Sequence, residues 1–491
     1  MWTRLVVEVD WTGTGAWEDE SARVMALRVR VGFEERWHVA GDVGRAWVQV
    51  ENGDGRFTPG NASSPIAEGL GKRRAARVRA VAPGGGGWAV MTGWVERVVA
   101  EREAGTAALE LVDGVARLKR AALAVPYHAS LGVTAALEWL VERVYEVGES
   151  DYYEDGERLE HVGWRWRPEE TRVWDGVKDV AETVQGRWWL GRDGVPRYRG
   201  RAWLLKAGEA PKVALGPGEA PDRLETAADA GRVANRVQVV TYPVETIGAE
   251  RELWTASGVM RVAPGETREV WAVFHDAVGE RCAAVDVVVP VAGLDYRVSE
   301  FRDGSGVDYT ADPAFSLGFE VEATRAKLRM TNTATGALYV QFMKVRGKPV
   351  VDYAPVVSEA SDAASAAEYG WQREVMDLPM MASAEFGQAL ADYTVKRRGM
   401  AVVEVRRAVF ADRDEVGGVN LYSLEVMDQA AVTDAESGLE GARHWITAVE
   451  YEASGAGRKV TLELARSDDR RYWRLGVAGF GELGTGTRLG F

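Results

Sequence analysis

The chain has 491 residues and a formal net charge of −14, with 46% hydrophobic and 27% charged residues. Its length predicts several domains, and its composition excludes bulk disorder. The acidic balance argues against a dedicated nucleic-acid clamp with a basic face, although an acidic wall would let DNA slide past without sticking. No window reaches the ~18 apolar residues of a membrane helix, so no integral membrane segment is expected.

Residues 1–120 are predicted to form a first β-rich domain. Leu5, Val7 and Val9 alternate with polar residues, and residues 25–31 repeat this period. Such alternation is typical of half-buried strands. About six short strands at this spacing favour a small barrel-like domain.

The next region, 121–205, is predicted to be a small α+β domain. Apolar residues recur at helical spacing over 134–147 and again over 169–185. Asp193-Gly194 then separates two short apolar runs, which is the signal of a β-hairpin.

The remainder is divided by composition and pattern. Residues 206–244 are predicted to be a connector and return strand, and 245–348 an inserted β-sandwich of the usual size. A second barrel-like domain follows at 349–475, with a helix over 383–398. Residues 476–491 form a C-terminal tail segment. The fold class is therefore multidomain and mainly β, with one α+β domain.

Catalytic and cofactor motifs are weak. Gly479 to Gly484 has G-x-G-x-x-G spacing, but it lacks the βαβ setting of a dinucleotide site and is interpreted as glycine-rich tail. The five histidines are far apart, and Cys282 is the only cysteine. Cys282 is expected to be a small buried hydrophobe. We predict no catalytic residue, no cofactor and no metal site.

Two groups of residues are candidate subunit-interface or ligand contacts. A basic cluster could meet phosphate, but pairing with acids of a neighbouring chain is favoured because the protein is acidic. Two tryptophans could stack on sugars, although core or interface roles are commoner for Trp. The candidates are Lys72, Arg73, Arg74, Arg77, Arg79, Trp164 and Trp166.

Three segments look familiar. The run from Glu51 to Pro65 (ENGDGRFTPGNASSP), followed by a Lys/Arg-rich strand and MTGWV at 91–95, resembles the N-terminal domain of tail hub proteins. These are the minor tail or baseplate hub proteins of long-tailed bacteriophages and prophages. The WDGV of 174–177, GRW of 186–188 and the following hairpin are similar to their second domain. The ending, YWRLG at 472–476 and LGF at 489–491, also looks like theirs. The resemblance covers about 1–240 and 350–491.

The resemblance implies a structural protein of the virion tail tip and no enzyme. Hub proteins of this kind are homotrimers whose two barrel-like domains per chain form a ring of six, which adapts the tail tube to the tip and lines the DNA exit channel. The implied partners are the tail tube or distal tail protein, the tape measure protein and tip or fibre proteins, with transient passage of DNA. No appended murein hydrolase domain is recognised.

Two other functions stay open at this point. In the first, the protein is a carbohydrate-binding tail adhesin whose sandwich and tryptophans recognise the host cell surface. In the second, which is less favoured, it is a peptidoglycan hydrolase.

Overall fold

The computed structural model describes residues 3–145, 149–153, 157–167, 169–204 and 210–467. Strand dominates this part of the chain and several sheets are present, which confirms the mainly β class. The tail segment 476–491, the glycine run at 479–484 and the YWRLG motif lie outside the described residues.

The N-terminal region contributes an antiparallel run of strands in the order β3-β4-β7-β6-β5-β1-β2. Alternate residues of each strand, such as Val7 and Val9 in β1, are buried, as the sequence period predicts. The strands are β1 (Arg4–Val9), β2 (Glu18–Asp19), β3 (Val24–Gly32), β4 (Arg45–Glu51), β5 (Ala75–Val81), β6 (Gly87–Glu101) and β7 (Thr106–Val112).

A small α+β unit follows and has its own hydrophobic core. The Asp193-Gly194 hairpin is present as the antiparallel pair β11–β12. The elements are α1 (Val115–Leu118), β8 (His128–Gly132), α2 (Val133–Val141), β9 (Asp151–Tyr153), β10 (Arg158–Val162), α3 (Val173–Val184), β11 (Arg187–Leu190), β12 (Pro196–Arg199) and α4 (Arg201–Leu204).

The two helices predicted for this unit, α2 and α3, are shorter in the structure than expected. Helix α2 ends at Val141, and Tyr145 then packs its ring edge-on against Trp94 of β6, at 5.8 Å between centroids. Helix α3 begins only at Val173, where the Arg172 N–H donates to the Asp175 carboxylate at 2.7 Å in a capping box. A local cap therefore marks the start of α3.

The first part of the stretch predicted as a connector and return strand is not irregular, and the predicted return strand is the last of three strands here. They are β13 (Val213–Leu215), β14 (Arg223–Ala228) and β15 (Arg236–Thr241). The first two pair with strands from residues 403–434, and those partners lie too far along the chain for a local pattern to reveal them.

Residues 244–352 form a unit in which two sheets share one core. The long strand β24 carries the six-stranded sheet, while β19, β23 and β22 form the other. Cys282 lies buried in the core between them, as expected. The strands are β16 (Val244–Thr246), β17 (Arg251–Thr255), β18 (Met260–Val262), β19 (Thr267–Val273), β20 (Ala283–Val288), β21 (Tyr296–Ser299), β22 (Phe315–Val321), β23 (Arg325–Asn332) and β24 (Leu338–Asp352).

The C-terminal region includes the helix predicted at 383–398. Ser383 caps it by accepting a hydrogen bond from the Phe386 N–H, and three cations occupy its last turn. The elements are β25 (Val356–Ser361), α5 (Ala363–Tyr369), β26 (Arg373–Leu378), α6 (Ala384–Arg398), β27 (Val403–Ala411), β28 (Glu415–Val416), β29 (Val419–Asn420), β30 (Gln429–Asp434), β31 (Leu439–Ser454) and β32 (Gly457–Arg466).

The two β regions are joined directly. Strand β3 pairs antiparallel with β31 from Ala26↔Ser454 to Gly32↔Ala448, so thirteen described strands form one sheet. One continuous core lies beneath both regions. Apart from the two-residue strand β2, the N-terminal region supplies six strands to this sheet. The C-terminal region supplies four, and β13 and β14 supply two more. Among the described helices, none is long and apolar enough to cross a membrane.

Candidate interaction surfaces

The two strand residues of the basic cluster share one acidic partner. Arg77 and Arg79 share one face of β5, as predicted, and both meet Glu8 of the neighbouring strand β1. Arg77 donates to Glu8 at 2.7 and 3.1 Å, and this hydrogen bonding lowers the pKa of the Glu8 carboxyl. The guanidinium of Arg77 also lies 4.2 Å from the ring centre of Trp17. These two arginines are therefore engaged within the chain.

The loop before β5 holds the other three basic residues. Lys72 and Arg73 are exposed, and Arg73 lies 3.7 Å from Glu96. Arg74 is half-buried and lies over Gly13, where a Cβ would meet its Nη1 at 2.1 Å. Glu8 and Glu96 thus interrupt the basic cluster. For Lys72 and Arg73, contact with an acidic neighbouring chain stays a prediction.

Neither of the two candidate tryptophans is fully exposed, as a side chain that stacks on a sugar would be. Trp166 is only 5% exposed and donates to Asp179 at 2.8 Å, so its ring is not open to stack on a sugar. Burial raises the pKa of Asp179 to about 6. Trp164 is half-buried and donates to the Pro379 carbonyl at 2.7 Å, while Arg165 lies over its ring at 4.4 Å. Trp164 therefore links the α+β unit to the segment after β26.

Sequence analysis missed the contact that Arg192 makes. This residue lies in the β11–β12 turn, yet its guanidinium is 4% exposed and reaches the C-terminal region. It donates to the Tyr422 carbonyl at 2.9 Å and to the Tyr451 hydroxyl at 2.6 Å, and it lies 3.2 Å from Glu425. A lone arginine in a turn carries no sequence signal of such burial.

One uncovered sheet face is the clearest candidate for a contact with another protein. Strands β25, β15 and β26 form a three-stranded sheet, and α6 packs on one side of it. On the opposite side Val357 and Val375 are 53% and 51% exposed, and Val240 of the central strand pairs with Val357. Paired charges flank these valines, with Arg236 bound to Glu359 at 3.0 Å. We call the surface of Val240, Val357 and Val375 the outer face.

The described residues contain no group of three or more His, Cys, Asp or Glu side chains that could hold a metal ion. Burial raises the pKa of the Cys282 thiol to about 12, which suits a packing residue better than a nucleophile.

Among known proteins, only solved structures are found to be similar to this chain. No protein-family model matches the sequence, and no curated protein sequence matches it. The tail protein from Neisseria meningitidis MC58 superimposes with a TM-score of 0.50 at 10% identity, covering 95% of this chain and 97% of that one. The chain has the fold of a tail protein.

Two further solved structures are similar. The 43 kDa tail protein of prophage MuSo2 from Shewanella oneidensis has a TM-score of 0.48 at 11% identity, covering 95% of this chain and 99% of its own. The prophage tail protein gp18 from Listeria monocytogenes EGD-e has a TM-score of 0.43 at 7% identity, covering 94% of both chains. The resemblance to tail proteins stated from the sequence is confirmed as a likeness of fold by the Neisseria structure, which covers 95% of this chain.

Within this tail-protein fold, His444 is a fully buried histidine on β31. Its Nε2 accepts from the Val405 N–H at 3.1 Å, so Nδ1 carries the proton and faces the Ala442 carbonyl at 3.0 Å. Burial lowers the pKa of His444 to about 4, against 6.5 in the unfolded chain. Between these values the unfolded chain binds a proton that the folded protein does not.

We therefore expect His444 to destabilise the tail-protein fold as pH falls from 6.5 toward 4. The loss amounts to about 3 kcal/mol at pH 4. His444→Gln keeps an acceptor for Val405 but does not titrate. The unfolding free energy of the wild type minus that of the variant should fall by that amount between pH 7 and pH 4. Other titrating groups, such as Asp113, whose pKa burial raises to about 7, cancel in the difference. A constant difference would contradict the assignment.

Proposed function

We propose that the protein is a structural component of a phage tail tip. In this proposal it is a homotrimeric hub that adapts the tail tube to the tip complex and lines the DNA exit channel. The observation that carries the proposal is the thirteen-stranded sheet. The N-terminal region supplies six of its strands besides the short β2, and the C-terminal region together with β13 and β14 supplies another six. Three chains with two such regions present six similar units, which would suit a sixfold tube above a threefold tip.

The proposal keeps the predicted domains with one change. The two barrel-like hub domains, 1–120 and 349–475, flank the α+β domain at 121–205 and the inserted sandwich at 245–348. Strands β13 and β14, from the stretch 206–244, pair with β30 and β27 and are best grouped with the second hub domain.

In the virion tail tip the hub would act without catalysing a reaction. Its proposed neighbours are the tail tube or distal tail protein, the tape measure protein and the tip or fibre proteins. The net charge of −14 supports a passage that DNA crosses without being retained, because each neutralised phosphate would strengthen binding.

The outer face is proposed as a contact between two copies of the chain. Its valines have no covering element within the described chain, and its strands β25 and β26 leave two open sheet edges. The salt bridge between Arg236 and Glu359 and the hydrogen bond from Arg373 to Gln238 provide charged and polar rows for a second copy to match. Apolar side chains ringed by polar groups are typical of protein interfaces.

This contact predicts the mass of the particle in solution. The wild-type protein should elute at three times the 53.7 kDa mass of one chain. Replacing Val357 and Val375 together with Asp would bury charge at the contact, so the double variant should elute as a monomer. Val278→Asp is the matched control, because Val278 is 82% exposed on a turn of the two-sheet unit. Light scattering on the eluting peak gives the mass. A trimer that survives both valine substitutions would contradict the outer face as the contact.

A further inference from the structure

An arginine-rich cleft lies where α6, the residues after β3 and the end of β32 meet. It consists of two cavities of about 180 and 240 Å³ that share Trp37, Arg397, Arg398 and Arg466 in their walls. Seven arginines and three carboxylates line the two cavities in the described part of the chain. This balance opposes that of the whole protein, which is acidic.

The carboxylates of the cleft do not neutralise it. Arg36 pairs with Glu404 at 3.0 Å, Arg398 with Glu374 at 2.5 Å, and Arg232 with Asp229 at 3.6 Å. Asp229 is also bound by Arg406 at 3.3 Å, from outside the two cavities. A fourth arginine, Arg201, pairs with Glu157 at 3.0 Å. Positive charge therefore remains in excess in the cavity walls.

Arg187 and Arg397 carry much of that excess. Within the described ranges neither forms an ion pair: Arg187 donates to the Gly186 carbonyl at 3.3 Å, and Arg397 approaches the Tyr393 hydroxyl at 3.4 Å. Desolvation, together with the nearby charge of Arg397, lowers the pKa of Arg187 to about 10. Two guanidinium groups that repel each other in a partly dry cleft would both gain from an anion between them.

Two buried donors at the cleft lack an acceptor. The Arg36 side chain is 9% exposed, and its Nη2 has no hydrogen-bond partner among the described atoms. The buried indole N–H of the adjacent Trp37 also has no hydrogen-bond partner among the described atoms. Buried donors are almost always satisfied in native proteins, so two unpaired donors in one wall indicate an acceptor that the described residues do not supply.

We propose that this cleft binds a small oxyanion, a phosphate or a carboxylate group, held by Arg187 and Arg397 beside Arg36 and Trp37. The planar fork of a guanidinium donates charge-assisted hydrogen bonds to two oxygens of a carboxylate or phosphate at once. A cavity of about 240 Å³ admits a group of this size with its waters but no nucleic-acid duplex. The inference is independent of the hub proposal, because it uses only the walls of the cleft.

The test is thermal unfolding of the full chain in increasing phosphate or citrate, against sodium chloride at equal ionic strength. A specific site gives a rise in Tm that saturates, whereas general salt exclusion gives an unsaturated rise that variants share. Arg397→Gln should raise the half-saturating concentration about tenfold or more, as the loss of a charged hydrogen bond predicts. Arg397→Lys should show an intermediate loss, because it keeps the charge without the fork.

The control is Arg297→Gln, which changes an exposed arginine of the two-sheet unit and should leave the half-saturating concentration unchanged. Saturation with phosphate alone identifies a phosphate site, and saturation with citrate alone identifies a carboxylate site. The proposal is overturned if neither anion saturates, or if wild type and Arg397→Gln saturate at the same concentration.

Discussion

Replacing Gly32 with alanine is expected to destabilise the protein by about 3 kcal/mol or more. Gly32 ends β3 with φ +118, a conformation that side-chain-bearing residues rarely adopt. A Cβ there would lie 2.3 Å from the Thr447 carbonyl oxygen and 2.7 Å from the Ala448 Cα, both backbone atoms of β31. Because backbone cannot rotate away as a side chain can, β31 would have to move.

The movement would act on the pairing that joins the two β regions. Gly32 pairs with Ala448, and the Phe33 N–H donates to the Thr447 carbonyl at 2.8 Å, next to the same contact. Losing this end of the pairing opens the continuous core to water. The urea midpoint of unfolding, followed by tryptophan fluorescence, should therefore fall sharply in Gly32→Ala.

Gly60→Ala is the matched control for backbone strain. Gly60 also has positive φ, at +81, but a Cβ there would meet nothing within 4 Å. Gly60→Ala should lower the free energy of unfolding by about 1 kcal/mol, from backbone strain alone. Equal urea midpoints for the two variants would show that close approach of β31 is not what requires glycine at position 32.

Arg192→Met is the second substitution with a large expected effect. It should lower the free energy of unfolding by about 3–5 kcal/mol. The substitution keeps much of the side-chain volume but removes every donor. The buried Tyr451 hydroxyl, the Tyr422 carbonyl and the Glu425 carboxylate would each lose the guanidinium. The two tyrosine rings are stacked at 5.3 Å, so the disturbance reaches the core of the C-terminal region.

Two comparisons isolate the cause. Arg192→Lys keeps a charge but has no fork to serve three acceptors, so it should be intermediate in stability. Arg199→Met removes the partner of Asp151, a half-exposed carboxylate, from the same hairpin and should cost less than about 1 kcal/mol. Thermal unfolding of the three variants ranks them. A loss in Arg192→Met no greater than that in Arg199→Met would contradict the role of Arg192 as a buried link.

Local chemistry explains which elements could be predicted. Ser383 and the cations of 396–398 mark both ends of α6, and Asp193-Gly194 sets the β11–β12 turn, because caps and turns are encoded within a few residues. The end of α2 could not be predicted in this way, since Tyr145 beyond it packs against the distant Trp94. Sequence analysis missed the start of α3, although the Asp175 carboxylate caps it locally.

Long-range pairing explains what the sequence did not reveal. The β3–β31 partners are more than four hundred residues apart, and β13 and β14 find their partners about two hundred residues on. For the same reason, the candidate interaction surfaces could not be predicted from the sequence. Trp166 gives no local sign of its bond to Asp179, and the cleft around Arg187 and Arg397 assembles from separate segments.

Electron-microscopic class averaging of the purified protein tests the hub proposal most directly. The proposal predicts a ring with threefold symmetry, six similar densities around its rim and an open centre wide enough for DNA. A closed oligomer without a channel, or particles that remain single chains at every concentration, would contradict it.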